Sequence, residues 1–149
     1  MHNGSGNLNN NYIESCGEAY LNTPYIYPKV GRIVVFGDIH GDLELATNLL
    51  RISKVANFDE DNNRFIWTGK DTFVVQIGDQ VDRCRPYHKG DRYISCDNKD
   101  ATYKDEASDI KILELYNDLH KQAVKVGGAV ISLLGNHELM NSLGWLDYV

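Results

Sequence analysis

No apolar run among the 149 residues approaches the roughly 20 needed to span a membrane, which predicts no membrane association. The N-terminus, Met1-His2-Asn3-Gly4-Ser5-Gly6, lacks the basic and apolar regions of a signal peptide, and the default expectation is a cytoplasmic protein. Positive charge is also short: 15 Lys and Arg stand against 21 Asp and Glu, for a net charge of -6. That excludes the broad basic face nucleic acid needs. It leaves phosphorylated substrates open, because a bound cation inverts the local charge. There is no GxGxxG and no P-loop, so a nucleotide-binding Rossmann reading is weak. Only three cysteines are present, Cys16, Cys84 and Cys96. Their odd number and irregular spacing predict reduced thiols. With no CxxC pair and no clear fourth ligand, a zinc cluster of Cys84, His88 and Cys96 is disfavoured.

What is present reads as one globular α/β domain. Residues 1–29 form an Asn-, Gly- and Ser-rich, then Pro-interrupted, tail, and residues 30–149 form the domain. Arg32 to Phe36 reads as a buried strand. Leu43 to Val55 reads as a helix with Leu45, Leu49 and Ile52, together with Ala46 and Leu50, on its apolar face and Asp42 as N-cap. Asp59 to Asn63 is a polar turn. Arg64–Thr68 and Thr72–Ile77, either side of Gly69-Lys70-Asp71, are predicted to pair as a hairpin. Residues 86–104 read as a long polar loop or insertion. A second helix is expected from Asp105 to Val126, with Ala107, Ile110, Leu113, Tyr116, Leu119, Ala123 and Val126 as its stripe and Gly127-Gly128 as its stop. Ala129 to Leu134 is a third buried strand, and a further helix begins near Glu138. The alternation of strands and helices implies parallel pairing.

Each of three predicted strands is followed by a polar cluster: Gly37-Asp38-Ile39-His40-Gly41-Asp42, Gly78-Asp79-Gln80-Val81-Asp82-Arg83 and Gly135-Asn136-His137-Glu138. Ligands of open α/β sheets bind beyond the carboxyl ends of the strands. Taken singly, a Gly-Asp is ordinarily a turn, an Asp-Arg a surface ion pair and an Asn-His-Glu a helix start. Three together, each after a strand, point to a shared site. Asp38 and His40 are spaced to reach one metal ion, Asp79 has two oxygens with which to bridge two ions, and Asn136 offers a neutral carbonyl. Two such ions clamp a phosphate and activate water. Arg83 suits bidentate phosphate contact, and His137, oriented by Asp82, suits proton delivery to a leaving alkoxide.

At these residues the sequence resembles the calcineurin-like metallophosphoesterase superfamily. The Gly-Asp-x-His-Gly, Gly-Asp-x-x-Asp-Arg and Gly-Asn-His-Glu motifs are those of its phosphoprotein phosphatase branch. Trp67 and Gly69 leading into Val75–Asp79, with Gly127 to Asn141, most resemble the Shewanella-like phosphatases. The resemblance covers residues 31–149 apart from 86–104. It implies the N-terminal half of a metallophosphoesterase β-sandwich flanked by helices, with mostly parallel strands and one hairpin. It implies two metal ions, manganese foremost and iron or zinc as alternatives, held by Asp38, His40, Asp79 and Asn136. Arg83 and Asn136 would contact phosphate, and His137 with Asp82 would be the acid. The implied activity is hydrolysis of phosphomonoesters, phosphoproteins included, by attack of metal-bound hydroxide. The alternatives are a non-catalytic metal- or phosphate-binding remnant and a diadenosine-tetraphosphatase-like hydrolase.

Two departures matter. Cys84 replaces the family glycine after Asp-Arg, and at a positive φ it would strain the loop that aims Arg83. The later histidine ligands and second arginine of the family have no counterpart, and His2, His88 and His120 lack the motif context to replace them. The chain is therefore expected to be a truncated front half with little activity alone, served by a complementing C-terminal chain. Leu143, Trp145, Leu146, Tyr148 and Val149 are expected to be poorly covered.

Overall fold

The computed structural model describes residues 26–101 and 106–149. The expected tail lies mostly outside the described residues. Residues 26–32 are irregular and lead into β1 (Ile33–Phe36), which is followed by α1 (Leu43–Ile52), β2 (Ala56–Asp59), β3 (Arg64–Trp67) and β4 (Phe73–Gln76). Then come β5 (Tyr87–Lys89), β6 (Arg92–Ile94), α2 (Asp109–Ala123) with a 3₁₀ turn over Val124–Val126, β7 (Ala129–Ser132) and α3 (Asn136–Ser142).

β1, β4 and β7 form a parallel sheet in the order β1-β4-β7. Val34, Val74 and Val130 lie level with one another, as do Phe36, Gln76 and Ser132. All three strands are continuous β-branched or apolar runs, the pattern of a central parallel sheet. The valine row packs against Ala46 and Leu50 of α1 and Ile112, Tyr116, Leu119 and Ala123 of α2. Burying each of the larger side chains contributes about 1.5–3 kcal/mol.

The opposite face differs from the expectation of buried strands. Ile33 and Val35 are 63% and 59% exposed. The C-terminal residues Leu143, Trp145, Leu146 and Val149 are exposed, as expected.

Four other expectations are corrected. The hairpin is not Arg64–Thr68 with Thr72–Ile77. β3 instead turns back on β2, pairing Asp59 with Arg64 and Ala56 with Trp67, while β4 enters the parallel sheet. The polar turn at Glu60–Asn63 is the better hairpin link: Asp59 accepts hydrogen bonds from the Asp61 and Asn62 backbones at 3.1 and 3.3 Å, an Asx turn. A second hairpin, β5–β6, stands inside the segment read as a polar loop.

The centres of both helix stripes are buried as expected, Ala46 and Leu50 on α1 and Tyr116, Leu119 and Ala123 on α2, but Ile52, Ile110 and Val126 at the ends are exposed and Ile112 is buried. α2 begins at Asp109 and not Asp105. α1 ends at Ile52 rather than Val55. Asp42 does cap it, accepting from the Leu45 N–H at 2.8 Å. Gly127, at φ 81, ends the 3₁₀ turn in the left-handed conformation that glycine adopts without a Cβ clash.

The cysteines are the last correction. Cys84 and Cys96 are joined by a disulfide across a 12-residue separation, so they are neither free thiols nor ligands of a zinc cluster with His88. Cys84 is absent from the residues of positive φ, and the strain foreseen there does not arise. The third cysteine, Cys16, lies outside the described residues.

Candidate functional site

The aligned strand ends bring the three polar clusters to one edge of the sheet. Backbone bonds stitch them together. The Ile39 and His40 amides both donate to the Asp79 carbonyl at 2.9 Å, and the Gly41 amide donates to the Gln80 carbonyl at 2.8 Å. The β4 and β7 turns approach so closely that a Cβ at Gly78, which sits at φ +105, would overlap the Gly135 backbone, and one at Gly135 would overlap Asp79. Glycine at both positions is a steric requirement.

Two polar side chains, one buried and one half-buried, hold this edge, and neither was assigned a role from the sequence. Gln76 is fully buried. It donates to the Gly78 and Gly37 carbonyls at 2.7 and 3.1 Å and accepts from the Gly78 amide at 2.8 Å. A Gln within an apolar strand is the signal that marked it, since a buried polar group must be fully bonded. Glu138 accepts from the amides of Asp79 at 2.8 Å, Gly135 at 2.7 Å and Gln80 at 2.7 Å. It is the acidic third residue of α3, reaching back to the helix start, and it fastens β4's turn to that helix.

His40, Asp79 and His137 present ligand atoms that lie within 4.8 Å of one another. Asp38 reaches this group through His40, with Oδ2 3.6 Å from Nε2, and its side chain is 60% exposed. Asn136 faces Asp79 directly. With its amide turned so that the nitrogen faces the carboxylate, it donates to Oδ2 at 2.8 Å and Oδ1 at 3.3 Å. Oxygen donors of Asp and Asn with imidazole nitrogen form a donor set suited to manganese, iron or zinc, so the residues present fit a metal ion.

His137 Nδ1 lies 2.9 Å from Asp82 Oδ2, which leaves its Nε2 for the site. The pair is 7% and 1% exposed. The Asn141 amide nitrogen donates to the other Asp82 oxygen at 2.9 Å. Tyr148 stacks edge-on against the His137 ring at a centroid distance of 5.0 Å, a neighbour that sequence reasoning did not supply. Arg83 pairs with Asp42 at 2.5 Å, so the N-cap of α1 also orients the arginine. Burial acts to raise the Asp42 carboxyl, but the hydrogen bond from Arg83, the bonds from the Leu45 and Glu44 amides and the arginine's charge outweigh it and hold it below the usual range.

His40, Asp79 and Asp82 have φ of 49, 53 and 68, left-handed backbone that costs a non-glycine residue about 1 kcal/mol or more and collects at functional sites. His88 is exposed on β5. His120 is half-buried, with its Nδ1 3.3 Å from the Val130 amide that donates to it, a structural contact rather than a site contact.

Residues 31–148 match the calcineurin-like phosphoesterase family. The chain is 32% identical over 123 residues to Shewanella-like protein phosphatase 2 of Arabidopsis thaliana, covering 83% of this chain and 25% of that one. It is 33% identical to Shewanella-like protein phosphatase 1 of Plasmodium berghei, covering 80% and 25%. A solved structure titled as a cold-active protein tyrosine phosphatase superposes with a TM-score of 0.61 at 27% identity, over 85% of this chain and 30% of that one. The chain thus spans about a quarter of the length of these curated relatives.

Proposed function

Because the chain belongs to the calcineurin-like phosphoesterase family, we propose that it carries the metal- and phosphate-binding portion of a phosphatase acting on phosphomonoesters, phosphoproteins among them. The observation that supports this reading best is the gathering of His40, Asp79 and His137 donor atoms within 4.8 Å, with the Asn136 amide beside Asp79. In this reading Asp38, His40, Asp79 and Asn136 would hold the metal ions, with Asp79 as the carboxylate shared between them. Manganese is the metal we assign, with iron and zinc as the alternatives. Such ions, when bound, act as Lewis acids toward the phosphoryl oxygens and supply a nucleophile from water.

The chain's own residues do the rest. Arg83 and Asn136 grip phosphate oxygens, and a bound dianion competes with Asp42 for the arginine. Asp82 holds the Nδ1 proton of His137, so the second proton, carried on Nε2 when the ring is an imidazolium, is the one transferred to the leaving group. The Shewanella-like relatives and the tyrosine phosphatase named above motivate a phosphoprotein substrate.

Residues 30–149 form the proposed domain. The exposed Ile33 and Val35 face is where a complementing C-terminal segment would pack. Among the described residues no helix is long and apolar enough to cross a membrane. The Cys84–Cys96 bond weighs against the cytoplasmic location expected from sequence, since disulfides persist in oxidising compartments.

Calorimetric titration with Mn²⁺ tests the reading, with the Asp79→Asn variant beside the wild type. The wild-type chain is expected to bind the ion and the variant to lose most of that binding. Equal binding by the two removes Asp79 as a bridging ligand. Hydrolysis of an aryl phosphate by the 149-residue chain alone is expected to be weak or absent.

A further inference from the structure

We propose that Asn141 is a positioning residue for the proton that His137 handles, a role that rests on the phosphatase reading but reaches one residue type beyond its motifs. His137 and Asn141 stand one turn apart on α3 and so share a helix face. Both point at the same buried carboxylate. Asp82 Oδ2 meets His137 Nδ1 at 2.9 Å, and Asp82 Oδ1 accepts from Asn141 Nδ2 at 2.9 Å. The two oxygens of Asp82 are therefore held by donors from successive turns of one helix.

That arrangement does two things. It stops rotation of the Asp82 carboxylate, so one oxygen always faces the imidazole. It also keeps Oδ2 as the acceptor facing the ring, so the His137 proton sits on Nδ1 and Nε2 is left toward His40 and Asp79. The Asn141 Oδ1 atom supplies independent support. It is buried with no hydrogen-bond partner among the described residues. Turning the amide over would set this oxygen against the Asp82 carboxylate, so the amide donates to Asp82 even while its own oxygen goes unsatisfied. Leaving a buried acceptor unpaired costs about 1–3 kcal/mol, a cost the native state accepts to keep that one bond. The Asn141 side chain hydrogen-bonds to Asp82 and not to the proposed metal ligands, which separates its role from theirs.

The test is NMR of the full chain labelled with ¹⁵N-histidine, reading the His137 tautomer and the exchange rate of its ring proton. The wild type is expected to show a single Nδ1–H form. In Asn141→Ala, loss of a bond to a charged acceptor is expected to speed exchange by about tenfold and to admit the Nε2–H form. Asn141→Asp keeps the side-chain shape and replaces the donor with an acceptor. It is expected to give a larger effect, and it carries the test if the alanine variant does not fold. An unchanged tautomer and exchange rate in a folded variant overturns the proposal. So does a loss of Mn²⁺ affinity in Asn141→Ala as large as that in Asp79→Asn, which would make Asn141 a general support of the metal cluster. A wild-type chain that binds no Mn²⁺ yet shows the Asn141-dependent tautomer upholds the positioning role and overturns only the phosphatase reading.

Discussion

Replacing Glu138 with Gln separates a geometric clamp from a helix cap. The carboxylate accepts three amides: Asp79 and Gly135 on Oε2, at 2.8 and 2.7 Å, and Gln80 on Oε1, at 2.7 Å. Hydrogen bonds to a charged group contribute about 1.5–3 kcal/mol and neutral ones about 0.5–1.5. Gln keeps one oxygen and turns an NH₂ toward the other position. At least one amide then loses its acceptor, and the bonds that survive become neutral. Glu138 is half-buried, so water replaces part of the loss. We expect destabilisation of about 2 kcal/mol for Glu138→Gln and about 3 kcal/mol for Glu138→Ala. The assay is urea unfolding with the disulfide intact, followed by the fluorescence of Trp67 and Trp145. With a slope near 2 kcal/mol per molar, the glutamine variant's midpoint falls by about 1 M. A fall below roughly 0.3 M would refute the clamp. Mn²⁺ affinity should fall with it, because the same bond sets the backbone at Asp79.

Further outcomes follow from other parts of the structure. Removing the disulfide with the Cys84→Ser, Cys96→Ser double variant releases a 12-residue closure and should cost about 3 kcal/mol, read from the same urea transition. Leu50→Ala empties a fully buried position between α1 and the sheet and should cost about 2–5 kcal/mol, measured by thermal unfolding. The Asp42 carboxyl is depressed in the folded chain, so its contribution is present above the unfolded value of about 4 and is lost as pH falls below it. Asn also caps helices well, so Asp42→Asn should be less stable than wild type at pH 7, with the gap closing below about pH 4. A gap that does not change with pH would remove the ion pair with Arg83 as its source.

Much of the site was legible because its residues are local. Gly-Asp-x-His-Gly, Gly-Asp-x-x-Asp-Arg and Gly-Asn-His-Glu each encode a strand end, a turn and donors within a few positions. The parallel order needed only the β-branched runs before them. What stayed hidden was pairwise and distant. β3 could have paired with β2 or β4 by pattern alone, and the Asx turn at Asp59 decides it. The centre of the α2 stripe was legible, but Ile110 and Val126 lie at ends that no neighbouring element among the described residues covers and are exposed. Two cysteines 12 apart look unpaired in a chain whose third lies elsewhere. Gln76 and Asn141 were visible as residue types, but their partners at Gly37 and Asp82 are 39 and 59 positions away, beyond any local pattern.

The level termination of β1, β4 and β7 has a consequence for how such proteins diversify. Reactive groups attached to a rigid ledge do not move when the chain between Arg83 and α2 is lengthened, shortened or cross-linked. Chemistry and target choice can then be inherited separately: the ledge stays while the stapled hairpin at residues 84–96 is exchanged. Sequence divergence among relatives should concentrate in that interval and spare the turns on either side of it.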